Sequence, residues 1–144
     1  MNGKQFGFWK MRRRGSSNIK IANLRGISRQ AVYRALIVMD DRIDATLWEM
    51  AHANLITVAK INAERGILLG QSILFQTAAV IFVSEKHCMK VWYEHDGNCG
   101  ACQRYTECID WFWDYAPKLG IRIEKTPDPT EMSEELFTSV EVLV

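Results

Sequence analysis

The spacing of the apolar residues changes near residue 54, and this change favours a fold that combines helices with a sheet. Before it, Ile43, Leu47 and Met50 recur at the three-to-four-residue spacing of an amphipathic helix. After it, residues 55–62 alternate and are rich in β-branched side chains, as in a strand. Because 144 residues suffice for one or two small domains, we predict an α+β chain with a helical domain over residues 1–53 and a β-rich domain over 54–144.

The helical part contains three predicted segments, separated by glycine and serine. They cover residues 5–14, residues 18–24, and residues 28 to at least 39 with a helical continuation over 43–52. In the first segment Phe6 and Trp9 are predicted to face inward and the arginines outward. Ser28 is the predicted N-cap of the third, since its hydroxyl can accept a bond from an otherwise unpaired backbone N–H.

The β-rich part is predicted to form a small antiparallel meander. Its strands are expected over residues 55–62, from residue 67, over residues 78–83 as a central strand, and over residues 89–94. In the first strand, strict alternation places Ile56, Val58 and Lys60 on one side and Ile61 on the other. Beyond the meander we expect an unusually aromatic helix over 107–119 and an amphipathic segment over 130–143.

The charge of the chain is unevenly distributed. Residues 1–39 contain nine lysines and arginines and no acidic residue, whereas residues 40–144 hold the other nine basic and all 17 acidic residues. A basic block beside an acidic remainder predicts that the N-terminal part binds a polyanion.

Small and apolar residues mark the connection between the second and third helices. Ala22 permits two helices to cross closely, and Gly26, four residues later, suits a turn with a positive φ. Ile27, Val32 and Leu36 are predicted to fill the space between the helices.

With these landmarks, residues 21–36 resemble the helix-turn-helix of DNA-binding regulators, and the motif is similar to that of archaeal and bacterial regulators of the sigma-region-four and Tfx type. The resemblance implies that double-stranded DNA is the partner. It leaves Arg29, Gln30, Tyr33 and Arg34 as the exposed face, whose Arg and Gln side chains can bond guanine and adenine edges. Ser28 is predicted to contact a phosphate.

A run of three arginines, Arg12, Arg13 and Arg14, precedes this motif. We predict that the run adds sequence-independent attraction to DNA that weakens with salt. The simpler alternative for the whole region is a helical hairpin with a solvated basic face.

Three cysteines in a polar stretch are spaced as C-x2-C-x5-C: Cys99, Cys102 and Cys108. Four cysteines in a chain without a recognisable secretion signal predict metal or redox chemistry rather than disulfides. The fourth ligand is predicted to be His95, with Cys88 as the alternative. Cys88 is disfavoured because a strand after it would carry the chain away from the cluster.

Thiolates at this spacing suit either an iron–sulfur cluster or zinc. The spacing resembles the ligand triad of the fumarate–nitrate type oxygen regulators and of the WhiB-like regulators, over about ten residues. That resemblance implies a [4Fe–4S] cluster in a transcription regulator. The alternative is a structural Zn²⁺ site.

The sequence contains no phosphate-binding loop, metalloprotease motif or serine nucleophile elbow, so we do not predict an enzyme. Its longest unbroken apolar run, residues 78–83, is too short to cross a membrane, and a cytoplasmic location is expected.

The predicted function is therefore a homodimeric DNA-binding regulator whose cluster senses redox state, oxygen or iron, with residues 43–52 and the aromatic helix as candidate dimer surfaces. The alternatives are a zinc-stabilised regulator or adaptor that binds a protein or small effector, and an electron-transfer protein with a basic helical domain.

Overall fold

A computed structural model of the chain describes residues 3–84 and 88–94. The described elements are α1 (Gly3–Arg13), α2 (Asn18–Arg25), α3 (Arg29–Ala53), β1 (Ile56–Asn62), β2 (Ile67–Ser72), β3 (Ala78–Ser84) and β4 (Cys88–Tyr93). The strands form one antiparallel sheet in the order β1-β2-β3-β4. The predictions of an α+β fold, a meander and an interior third strand are confirmed. The predicted cysteine-rich stretch, aromatic helix and amphipathic segment lie outside the described residues.

Helix α3 is the longest described element, at 25 residues. A rise of 1.5 Å per residue makes it about 37 Å long. One side is buried through an unbroken series at helical spacing: Val32, Leu36, Met39, Ile43, Leu47 and Ala51. The helical continuation expected over residues 43–52 is thus confirmed. Among the described residues, no helix combines the length and apolarity needed to span a membrane.

The three helices and one face of the sheet share a single hydrophobic core. We call this face the inner face. Its strand residues include Ile56, Leu68, Ala79, Ile81 and Val83. The predicted domain boundary at residue 53 coincides with the end of α3, and the core continues across it from helices to strands.

Trp9 joins α1 to the turn between β1 and β2. Its ring is fully buried, as predicted, and its Nε1 donates a hydrogen bond to the carbonyl oxygen of Ala63 at 3.1 Å. Gly66, at φ +70°, lies so close that an added Cβ would sit 2.8 Å from the Trp9 ring. Phe8, which the sequence reading did not place in the core, is also buried.

A β-bulge corrects the predicted alternation of β1. The pairing with β2 shifts register between Val58 and Lys60. The extra residue turns Ile61 to the inner face with Ile56 and Val58, where it packs against the core, and leaves Lys60 exposed. The prediction that Lys60 shares a side with Ile56 is therefore wrong.

Candidate nucleic-acid interface

The connection between α2 and α3 is built on Gly26. This residue has φ +65° and ψ 33°, and its backbone N–H donates to the carbonyl oxygen of Ala22. The next amide, of Ile27, donates to the same oxygen at 3.2 Å. A residue with a Cβ is strained at such angles, so glycine allows α2 to end here and the chain to turn at once. The predicted positive φ at Gly26 is confirmed.

Ser28 starts α3 as an N-cap. Its hydroxyl oxygen accepts a hydrogen bond from the backbone N–H of Ala31 at 3.1 Å. Val32 and Leu36, on the first two turns that follow, are buried, and Ile27 packs half-buried against the same core. The predicted cap is confirmed, and the burial of these apolar residues fixes which side of the helix faces outward.

The outward side of the first turns of α3 carries the residues predicted to contact bases. Arg29, Gln30, Tyr33 and Arg34 are all exposed, and Tyr33 retains 58% of its surface. They lie at the positive end of the helix dipole, where anions are stabilised. Guanidinium and amide groups in this position can form paired hydrogen bonds with base edges or phosphates.

The three N-terminal arginines do not act alike. Arg12 points across to α3, where its Nη1 donates to Oδ2 of Asp40 at 3.0 Å and its Nη2 to Oδ1. The prediction that this arginine faces outward is wrong, because the pairing leaves its side chain only 21% exposed.

Arg13 is also turned inward, and the same correction applies to it. Its guanidinium donates to the carbonyl oxygen of Val83 and lies 4.5 Å above the ring of Trp9. Arg14, the third member of the run, is exposed as predicted. The arginine run is thus divided, with two members binding other parts of the protein.

The predicted metal ligands His95, Cys99, Cys102 and Cys108 lie outside the described residues. The backbone of Cys88 is described, and it pairs with Ser84 at the start of β4. Within residues 3–84 and 88–94, no group of three or more His, Cys, Asp or Glu side chains is placed to hold a metal ion.

An apolar groove that the sequence analysis did not predict lies at the C-terminal end of α3. Trp48 and His52 line it together with Leu55 and Ile73, and its volume is about 410 Å³. Residues 43–52 were predicted as a candidate dimer surface, but the contribution of Ile73 was missed. The sequence signal for Ile73 was a run of three apolar residues, 73–75, between two strands. All three of these side chains are exposed.

No family model, curated protein or solved structure matches this chain.

Proposed function

We propose that this chain binds double-stranded DNA through the first turns of α3 and acts as a transcription regulator. The observation that carries the proposal is the arrangement of Arg29, Gln30, Tyr33 and Arg34. All four are exposed on one end of a helix whose opposite side is held in the core and whose start is fixed by Ser28.

This arrangement suits the dimensions of DNA. The major groove admits one α-helix, and side chains at the helix start reach the base edges. The arginines can each bond two acceptors of guanine, and Gln30 can bond adenine in the same paired manner. The start of α3 is exposed at Ser28, Arg29 and Gln30, so backbone N–H groups of its first turn can bind a phosphate.

Sequence-independent attraction comes from the charge of the same region. Residues 1–39 carry no acidic side chain that would repel phosphate. Within the arginine run we assign this role to Arg14, which is the exposed member. Each phosphate that a basic side chain neutralises should steepen the salt dependence of the affinity.

We further propose that Cys99, Cys102 and Cys108 hold an iron–sulfur cluster whose state modulates DNA binding, with structural zinc as the alternative. Strand β4 supports His95 over Cys88 as the fourth ligand. It carries the chain about 20 Å from Cys88 to Glu94 at 3.3 Å per residue. Recruiting Cys88 would require the residues after Glu94 to run back along the whole strand.

A homodimer would present two copies of α3 to adjacent grooves of one DNA face. Within α3, the exposed groove near Trp48 starts about 29 Å from Arg29, at 1.5 Å per residue. A contact between subunits at that end would leave both DNA-facing ends uncovered.

The test compares two arginines of the same helix. Full-length protein, purified without oxygen, is titrated into a duplex selected from a random pool, and binding is followed by fluorescence anisotropy. Arg34→Ala should weaken binding about tenfold or more, since a paired base contact is worth about 1–3 kcal/mol. Arg42→Ala removes the same charge from an exposed site two turns further along and should change the affinity less than about twofold.

Equal losses for the two variants would contradict base recognition by the start of α3. Failure of the unmodified protein to bind any duplex at low salt would contradict DNA binding altogether.

A further inference from the structure

The face of the sheet opposite the helices, which we call the outer face, has an apolar and buried centre. Ile67, Val80 and Phe82 each have 0% of their surface exposed. They alternate along β2 and β3 with Leu68 and Ile81, which belong to the core shared with the helices, so they point the other way. Leu69 and Trp92, which pair with Val80 on either side, also lie on the outer face, and its rim includes Lys60, Asn62, Gln71 and Lys90.

Complete burial on this face requires a layer of atoms above it. A sheet open to water on one side carries polar side chains there, whereas β3 is apolar on both sides from Ala79 to Val83. The strand residues that pack with α1, α2 and α3 all belong to the inner face. The described helices therefore do not account for the burial of Val80 and Phe82.

We propose that residues 107–119 of the same chain pack on the outer face and complete a three-layer arrangement of helix, sheet and helix. This segment contains Trp111, Phe112, Trp113 and Tyr115. Aromatic side chains bury about 150–250 Å² each, which suits a flat patch built from Ile67, Val80 and Phe82.

The length of the segment fits the face. Thirteen residues in a helix extend about 20 Å, and a seven-residue strand such as β3 extends about 23 Å. A helix over 107–119 would therefore cover the apolar part of β3 from end to end. The aliphatic rows of β2 and β3 would lie beneath it.

The point at which the chain leaves the sheet is also compatible with packing of residues 107–119 on the outer face. The backbone N–H of Glu94 donates to the carbonyl oxygen of Ala78, and its own carbonyl accepts from the hydroxyl of Thr77, both at 2.9 Å. These bonds fix the exit point beside the first residue of β3. The thirteen steps from Glu94 to residue 107 reach about 43–47 Å when fully extended, while the four strands are together about 14 Å wide.

This inference does not rest on DNA binding and concerns a different face of the molecule. It does give the predicted cysteine-rich stretch a structural setting, because residues 95–106 would connect β4 to the layer that covers the sheet.

The experiment places the photo-crosslinking residue p-benzoylphenylalanine on the outer face of the full-length chain. Leu69, half-buried on this face, is the first position, and Gln71, which is exposed on the same face, is the second in case the first substitution impairs folding. Val91, half-buried on the inner face, is the matched control. A mixture of isotope-labelled and unlabelled protein separates links within one molecule from links between two.

We expect the Leu69 and Gln71 positions to link to a peptide from 107–119 of the same molecule, and the Val91 position to link to the helices. Links from the outer face to 130–143, or to a second molecule, would overturn the proposal. Absence of any outer-face link, with a normal link from Val91, would overturn it as well. None of these outcomes depends on whether the protein binds DNA.

Discussion

Arg12 of α1 and Asp40 of α3 form a two-point ion pair, in which Nη1 of the arginine donates to Oδ2 of the carboxylate at 3.0 Å and Nη2 donates to Oδ1. Both side chains are largely covered, with 21% and 25% of their surface exposed. The pair fixes the end of α1 against the middle of α3. Arg12 belongs to residues 1–39, which contain no acidic side chain, and it is thus paired with the first acidic residue that follows them.

We expect this pair to stabilise the fold. Arg12→Ala and Asp40→Ala should each lower the free energy of unfolding by about 1–2 kcal/mol, since a paired, charge-assisted contact of two partly covered groups is stronger than an exposed one. In the double variant the losses should not add, leaving a coupling of about 1 kcal/mol. Urea unfolding followed by circular dichroism measures all four proteins, and strictly additive losses would exclude a direct contribution of the pair.

Two glycines at nearly the same φ should respond differently to alanine. Gly26→Ala should lower the free energy of unfolding by about 1–2 kcal/mol, because a side chain is disfavoured at φ +65°. No steric cost is added, since nothing lies within 4 Å of the new Cβ. Gly66→Ala adds contacts of 2.8 and 2.9 Å to the Trp9 ring and 3.1 Å to Val83. This overpacking should raise its cost by about 1–3 kcal/mol more.

The same urea titration ranks the two variants. A Gly66→Ala protein that is as stable as Gly26→Ala would mean that Trp9 moves away freely, contrary to its complete burial and its bond to Ala63.

Ser28 offers a way to separate folding from DNA binding. Ser28→Ala removes the cap on Ala31 and should destabilise the protein by about 1 kcal/mol. Ser28→Asp retains an oxygen acceptor and adds a negative charge at the helix start, so its unfolding free energy should stay within about 0.5 kcal/mol of the unmodified protein. Its DNA affinity should nevertheless fall about tenfold or more, because the carboxylate repels the backbone phosphates.

Thermal unfolding and anisotropy titrations on the two variants test this separation. If Ser28→Asp binds DNA as tightly as the unmodified protein, the start of α3 does not face the phosphates.

The parts of the fold that follow from local chemistry were predictable. Gly26, Ser28 and the buried series of α3 follow from turn, capping and periodicity rules that act over a few residues. The inward positions of Arg12 and Arg13 could not be predicted in this way, because their partners are far along the chain. Asp40 is 28 residues from Arg12, and the Val83 carbonyl is 70 residues from Arg13.

Within the sheet, too, the features set by neighbouring residues were predictable and those set by distant residues were not. The meander order follows from short connections between alternating segments, but the bulge after Val58 depends on pairing with β2. Strict alternation therefore misplaced Lys60 and Ile61. For the candidate site, the sequence found the exposed face of α3 because helical spacing alone separates Arg29 and Arg34 from Val32 and Leu36.

The proposed metal centre makes a prediction that discriminates among the four cysteines. Protein purified without oxygen should be brown and contain iron and acid-labile sulfide, and Cys102→Ser should lose both because thiolate ligands hold the cluster. Cys88→Ser is the matched control, since Cys88 begins β4 at the end remote from Glu94, and it should keep its iron and its colour. Iron retained in Cys102→Ser but lost in Cys88→Ser would contradict the ligand assignment. A colourless protein that contains one zinc per chain would replace the cluster by the structural zinc site.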